Sequence, residues 1–414
     1  MKILFLAHRT PYPPDKGDKI RSFHVLSQMA KRHTVSLAYW VDDPKDVSHA
    51  QALRRICRGT VAPVSLDVMG ARARAIWSLI KGQSFSAGFY NSPRFQRVVD
   101  SLVQQDRPDL FYVFSSAMAH YVARIEKIPT IVDFVDVDSE KWRQLSEFAS
   151  FPFSRIYSLE HQQLARVERE ISRWAQCSLF VSDVEADLFR EIGGEGKIIP
   201  LPNGVTLDVL ALPRHEEPEP GRQRSLERRS QSMHILFVGT MSYFPNTDAV
   251  LYFAREIFPR IRSVFPQAIF DIVGRLPPRS VRRLHGTDGI CVHGEVGEIQ
   301  PFLALADVSI APMRMSRGVP NKILEAMATG VPVVATTEAI KGIHVKAEEE
   351  FLLGDTPDLF AAQVIRLLSD CELRARIIKK ARQRVREVYN WKMVGNQLAD
   401  LIEGTRPGVS FGAA

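Results

Sequence analysis

Lys322 and Glu325 stand three residues apart in the otherwise largely apolar run NKILEAMATGVPVVAT, residues 321–336. On a helix, residues three apart share a face. A helix opening near Pro320 leaves its first N–H groups without intrahelical partners, an anion site that a neighbouring lysine strengthens. A carboxylate about one turn further on can accept hydrogen bonds from paired hydroxyls, as a ribose offers. Diphosphate at the helix start and ribose on the glutamate is therefore one chemistry that this spacing serves. The plainer alternative keeps Glu325 as a complement to the helix dipole and Lys322 as a solvated charge. Two upstream loops are of the same kind. VGTMSYFPNTDAV (238–250) places Gly239 and Thr240 at the end of an apolar run, glycine for close backbone approach and a hydroxyl to donate to an anionic oxygen. VGRLPP (273–278) places Gly274 and Arg275 likewise. In the N-terminal half, HRTPYPPDKGDKIRSFHVL (8–26) carries Gly17 ahead of a helical pattern that Asp18 is suited to cap, with Arg21 on its first turn. IPTIVDFVDVDSEKW (128–142) brings Asp133, Asp136 and Asp138 close together. Asp133 and Val135 are expected on one side of a strand, whereas the direction of Asp136 depends on where that strand ends.

Positioning such loops takes strands before them and helices after them. The runs KILFLA, TVSLAYW, APVSL, DLFYVF, TIVDFV and CSLFVS alternate with helical periodicity in the first half. HILFVG, AIFDIVG, GICVHG, DVSIAPM, VPVVAT and FLLG repeat the alternation in the second. Repeated strand–helix units imply parallel sheets covered on both faces. Between the halves, HEEPEPGRQRSLERRSQS (215–232) is polar, rich in Pro and Arg and without periodicity, the composition of an exposed linker. The expected organisation is α/β, two Rossmann-like doubly wound domains facing a cleft. The first spans 1–206, a linker 207–233 follows, and the second spans 234–390. A last helix at 391–404 returns to the first domain. Ligands of such sheets bind beyond the carboxyl ends of the strands, which is where the loops above fall.

Composition narrows the function. The 414 residues are 45% hydrophobic and 24% charged, an ordinary globular balance, and the net charge of +7 favours anionic partners. No zinc-finger spacing, aromatic RNA-binding motif or long basic tract points to nucleic acid. Cys57, Cys177, Cys291 and Cys371 form no CxxC pair and read as thiols of a reducing compartment. His8, His24, His120, His161 and His293 lack metal-ligand spacing. His293, closing ICVHG, is open to two readings, near a nucleotide base or structural. No Gly-x-Gly-x-x-Gly follows a strand and no Ser-His-Asp set appears, which argues against nicotinamide and triad chemistry. The apolar start MKILFLA is too short for a signal peptide, and no window approaches the ~18 apolar residues of a membrane span. The expected location is cytoplasmic, with peripheral contact on an anionic membrane through GARARAIWSLIKGQSFSAGFYNSPRFQRVV (70–99), which mixes Arg and Lys with Trp77, Phe85, Phe89 and Tyr90. The same segment can instead pack into the first domain's core.

The run NKILEAMATGVPVVAT resembles the most recognisable segment of retaining GT-B glycosyltransferases of group 1, the family 4-like type. LPNGV (201–205), VSDVEADLFRE, FVGTM and VHGEVGEIQPFLALADVSIAPM resemble other segments of that family, in order and at suitable spacing. The chain also resembles bacterial sugar transferases of exopolysaccharide and exosortase systems. The resemblance implies transfer of a sugar from a nucleotide-diphosphate donor, with no further cofactor and no metal, to a glycan or lipid-linked acceptor. It places Glu325 on ribose, Asn321 and Lys322 toward the diphosphate or donor sugar, Gly239 and Thr240 on the diphosphate side, and Gly17 in a flexible loop near the phosphates.

This chain departs from the family pattern at three points. Many members carry two glutamates eight positions apart; the first is Arg317 here. Many place Arg and Lys after the first glycine of the nucleotide domain, where this chain has TMSYFPN, so phosphate charge falls to Lys322, Arg275 or Arg317. A histidine near the end of VDFVDVD is also missing. Asp136 is the first candidate to replace it, as an acid stabilising positive charge at the anomeric carbon, and Asp133 the second. The Asp-X-Asp of DVD also matches a metal-binding motif of another transferase fold, a reading set aside because that pair is common by chance. The rival functions are a nucleotide-sugar epimerase or hydrolase on the same scaffold, and an inactive nucleotide-sugar-binding or scaffolding subunit.

Overall fold

The computed structural model describes residues 1–14, 17–206, 233–316 and 318–405. Two calls made on sequence, the linker at 215–232 and Arg317, lie outside the described residues, as do Asp15 and Lys16. The chain forms two compact units. One takes Met1–Asn203 and the chain from Trp391 on, and the other lies between Gly204 and Asn390.

Seven parallel strands form the first unit's sheet. They are β1 (Lys2–Ala7), β2 (Thr34–Val41), β3 (Val61–Ser65), β4 (Leu110–Phe114), β5 (Thr130–Val135), β6 (Cys177–Phe180) and β7 (Ile198–Pro200), in the order β3-β2-β1-β4-β5-β6-β7. β1, β2 and β4 are buried almost throughout, and the sheet separates two apolar layers. Phe5, Tyr112 and Leu179 face one layer; Leu4, Phe111 and Phe180 face the other. That two-sided burial is why these strands read as continuous apolar runs. The last helix, Trp391–Glu403, belongs to this unit. Trp391 stacks on His24 with ring centroids 4.5 Å apart, and Gly395 lies so close to Gln28 that a Cβ there would come within 2.8 Å of its side chain.

The second unit has six parallel strands, β8 (His234–Val238), β9 (Ile269–Val273), β10 (Ile290–Gly294), β11 (Val308–Ala311), β12 (Val333–Ala335) and β13 (Leu352–Leu353). Their order is β10-β9-β8-β11-β12-β13. In each sheet the strand order reverses beside the first strand, between β1 and β4 and between β8 and β11, the crevice where doubly wound sheets bind ligands. The three-residue β7 was not read as a strand on sequence.

Candidate functional site

At the β8/β11 reversal the polar groups converge. Gly239 and Thr240 leave the end of β8, and helix Asn321–Thr329 follows β11. Gly274, ending β9, packs against this turn so tightly that a Cβ would sit 1.7 Å from the Gly239 carbonyl oxygen, and the Met241 N–H donates to the Arg275 carbonyl at 2.9 Å. Only glycine lets the two strand ends approach this closely. Pro320 precedes helix Asn321–Thr329 and supplies no side-chain cap, and the Ile323 N–H turns back to the Pro320 carbonyl at 3.0 Å. Gly330, in the left-handed conformation at φ 79°, ends it.

Lys322 is half-buried. Its Nζ donates to Asn246 Oδ1 at 2.7 Å and lies 4.0 Å from the centroid of the Phe237 ring. Asn246 Nδ2 in turn donates to the Thr240 carbonyl at 2.9 Å, so this buried amide ties the β8 turn to the helix carrying Glu325. Asn246 was missed on sequence. Its one signal was its place, where TMSYFPN stands in for the family's basic pair. Burial pulls the Lys322 ammonium down to about 7 against the opposing effect of Glu325. Burial likewise raises the Glu325 carboxyl, with Lys322 opposing. Among the described residues the Glu325 carboxylate has no hydrogen-bond donor. An anion at this helix start would restore the ammonium charge, and hydroxyl donors would satisfy the carboxylate. Arg275 is half-buried beside the same turn. His293 donates to or accepts from Asp271 Oδ1 through Nε2 at 2.7 Å, and His234 Nδ1 meets Asp271 Oδ2 at 2.7 Å. Burial raises the Asp271 carboxyl, but the two imidazoles outweigh it and hold it low. His293 is thus engaged in a structural bridge.

In the first unit one sequence-based expectation is corrected. Asp133 is fully buried and its carboxylate is saturated. Arg21 Nε donates to both oxygens at 3.1 and 3.0 Å, Arg21 Nη2 to Oδ1 at 3.0 Å, Tyr112 Oη to Oδ2 at 2.7 Å, and the Val135 N–H to Oδ1 at 3.2 Å. Arg21 Nη1 also donates to the Leu201 carbonyl at 2.8 Å and to Asn203 at 3.0 Å. No edge of this pair reaches a substrate, so Arg21 adds no charge for a donor and Asp133 is no second catalytic acid. Together they pin helix Gly17–Arg32 and the LPN turn to β5.

Alternation along β5 holds as expected, with Ile131, Val135 and Tyr112, the partner of Asp133, on one layer and Val132 and Phe134 on the other. The β5 register with β6 shifts between Asp133 and Val135, and Val135 has φ 70°, a conformation rare for a β-branched residue. This kink ends the strand and aims Asp136 off it. Burial, followed by the like charges of Glu185 and Asp138, pushes the Asp136 carboxyl up to about 8 against Lys141 and Arg21. Its Oδ1 is enclosed without a partner among the described residues. Glu185 Oε2 accepts the Val137 N–H at 2.9 Å, and Glu168 Oε1 accepts the Ser139 N–H at 3.2 Å, filling the open first turn of helix Asp138–Phe148. Burial and these like charges favour the protonated form of Asp136, whereas the sequence reading takes it as an anionic stabiliser. Gly17, the first residue of its helix, is exposed with open space around it. Asp18 accepts from Arg9 Nη1 at 2.7 Å and not from the helix beyond its own neighbour Lys19. Among the described residues no group of His, Cys, Asp or Glu is arranged to hold a metal ion.

Comparison with known proteins agrees with this architecture. Residues 24–204 match a family model described as a glycosyl transferase 4-like domain, and residues 232–370 match one described as glycosyl transferases group 1. Phosphatidyl-myo-inositol mannosyltransferase of Mycolicibacterium smegmatis is 30% identical over 175 residues, 41% of this chain and 44% of that protein. The aligned part spans about half or less of the curated relatives. Among solved structures, sucrose-phosphate synthase from Thermosynechococcus elongatus superposes with a TM-score of 0.72 at 17% identity, covering 97% of this chain and 98% of that one. Anabaena HepE in complex with UDP gives 0.68 at 16% identity, covering 98% and 100%. With one model on each half and both doubly wound sheets in place, the chain belongs to the group 1 glycosyltransferases and has their GT-B fold.

Proposed function

We propose that this protein is a glycosyltransferase that moves a sugar from a nucleotide-diphosphate donor to a glycan or lipid-linked acceptor in surface polysaccharide synthesis. The observation that carries the reading is the arrangement at the β8/β11 reversal. An uncapped helix start, Lys322 held by Asn246, and an unsatisfied Glu325 carboxylate three residues on lie together on one turn. The diphosphate binds at the helix start and on Lys322, with Arg275, Arg317, Gly239, Thr240 and Asn321 as further donor contacts, and Glu325 takes the ribose hydroxyls. The printed names of HepE in complex with UDP and of a mannosyltransferase acting on phosphatidyl-myo-inositol support a uridine diphosphate donor and a lipid-borne acceptor.

Transfer proceeds with retention and without a metal. The diphosphate leaves into the cradle of amides and the lysine, while the acceptor hydroxyl attacks the same face and a phosphate oxygen takes its proton. Asp136, protonated, donates a hydrogen bond to a sugar hydroxyl near the reacting carbon. Gly17, where an added Cβ would meet nothing within 4 Å, is a further donor-side candidate that the family resemblance supplies. The test is thermal stabilisation by UDP, GDP, CMP and ADP for wild type and Glu325→Ala. A ligand that binds only the folded state raises the melting temperature with concentration over affinity. One diphosphate should stabilise the wild type and lose its effect in the variant. Equal shifts in both would remove Glu325 from the site, and no shift with nucleotides or nucleotide sugars would overturn the reading.

A further inference from the structure

The first unit carries more exposed apolar surface than solubility explains. Helix Val68–Ile80 leaves Met69, Ile76, Trp77 and Ile80 exposed, by 77% at Met69 and 70% at Ile80. The turn and start of the next long helix, Phe153–Trp174, leave Phe148, Phe151, Phe153, Ile156 and Leu159 exposed, with Phe151 at 81%. The second stretch was not singled out on sequence. Conversely Phe85, Phe89 and Tyr90, counted there as interfacial aromatics, are half-buried, and Phe95 is fully buried.

Three observations join the two stretches into one surface. Glu160, one residue past Leu159, accepts from the Ser84 hydroxyl at 2.8 Å and from the Phe85 and Ser86 N–H groups at 2.5 and 2.9 Å. That clamp ties the end of the Trp77–Ile80 turn to the turn bearing Ile156 and Leu159. Both stretches are also built on the carboxyl edge of the same sheet. Helix Val68–Ile80 follows β3, and the pair Asp138–Phe148 and Phe153–Trp174 follows β5. The 22-residue helix Phe153–Trp174 spans roughly 33 Å, whereas the six residues of β5 span roughly 20 Å, so its Phe153 end stands well beyond that edge. Finally, both stretches connect to strand ends at that same edge. Asp136 opens the loop into the second helix pair, and Tyr90 packs edge-on against His8 at the end of β1, centroids 5.8 Å apart.

The charge around this surface selects its partner. Arg72, Lys81 and Arg155 are exposed beside the apolar residues and form no ion pair among the described residues, and the Lys81 ammonium lies over the Trp77 ring. Two such cationic faces repel each other in a self-association, whereas an anionic bilayer attracts them and accepts protruding aromatic and aliphatic side chains. Among the described residues no helix is long and apolar enough to cross a membrane, so the contact is with one leaflet. We propose that Met69–Ile80 and Phe148–Leu159 form a single two-pronged surface that docks the first unit on an anionic lipid bilayer. Its docked orientation turns the carboxyl edge, with Asp136 and His8, toward the lipid headgroups.

The purpose of this surface rests on the proposed lipid-linked acceptor, but its existence does not, and vesicle binding is measured without turnover. Full-length protein is sedimented with phosphatidylcholine vesicles, with and without phosphatidylglycerol. Wild type should bind the anionic vesicles and release with added salt. Trp77→Glu combined with Phe151→Glu should weaken binding at least ~10-fold, about 1.4 kcal/mol. Phe151→Glu alone should weaken it too, because the second prong is part of the surface. An unchanged melting temperature and an unchanged nucleotide shift in these variants would show that both units remain folded. Arg72→Glu with Lys81→Glu should abolish the preference for anionic lipid. The proposal is overturned if wild type binds neither vesicle, or if Phe151→Glu binds as wild type. It is also overturned if light scattering finds a wild-type dimer that the double variant dissolves without any vesicle binding.

Discussion

Replacing Asp136 by Asn should stabilise the first unit, and by an amount that grows with pH. In the folded chain the carboxyl is held up to about 8 from an ordinary 3.8, chiefly by burial and then by Glu185 and Asp138. A raised folded value means the stabilising proton is fully present below the unfolded value and is lost as pH rises through the folded one. Below about 3.8 both states are protonated, and the aspartate costs nothing. Near pH 7 the unfolded carboxyl is ionised while the folded one is not, about three units at 1.36 kcal/mol each, a ceiling of about 4 kcal/mol. Urea unfolding of wild type and variant, followed through the first unit's transition from pH 4 to 9, measures the difference directly. It should open between pH 4 and 8 and flatten above. A gap of constant size, or a variant less stable than wild type at neutral pH, would refute the protonated, unpartnered state assigned to Asp136.

Other outcomes follow from the same geometry. Arg21→Ala, which leaves Asp133 buried and uncompensated, should cost about 3–5 kcal/mol in chemical denaturation, and Arg21→Lys should not restore it because an ammonium cannot span the same acceptors. Lys322 sits near 7 when no ligand is bound, so nucleotide diphosphate binding should weaken as pH rises from 6 to 8 and should take up a proton, detected by calorimetry in buffers of different ionisation enthalpy; Lys322→Met should lose both effects. Asn246→Ala should reduce nucleotide stabilisation while leaving the first unit's unfolding unchanged. Gly274→Ala, with its Cβ 1.7 Å from the Gly239 carbonyl oxygen, should destabilise the second unit and abolish the nucleotide-induced shift in melting temperature.

The strands, and the loops that leave their carboxyl ends, are legible from local pattern alone. Parallel strands buried on both faces are near-continuously apolar, so twelve of them stand out as short runs despite a buried Asp133 or Asp271, and only β7, three residues ending in Pro200, escapes notice. The loops after β8, β9 and β11 were legible because a strand end followed by glycine or by a helix start is a local feature, and Lys322 and Glu325 are joined by helical spacing alone. Other features depend on partners far apart in the chain. Asp133 stands second to Asp136 on sequence, and only the fold brings Arg21, 112 residues away, to saturate it. Asn246 meets Lys322 across 76 residues, and Glu160 joins the two apolar prongs across 76 more. Exposure is likewise a property of the packed whole. Phe95 and Phe151 are the same residue type, yet one fills the core and the other points outward. Burial and charge pairing, which set the protonation of Asp136 and Lys322 and the role of each aromatic, arise from neighbours that the fold supplies and that sequence adjacency does not reveal.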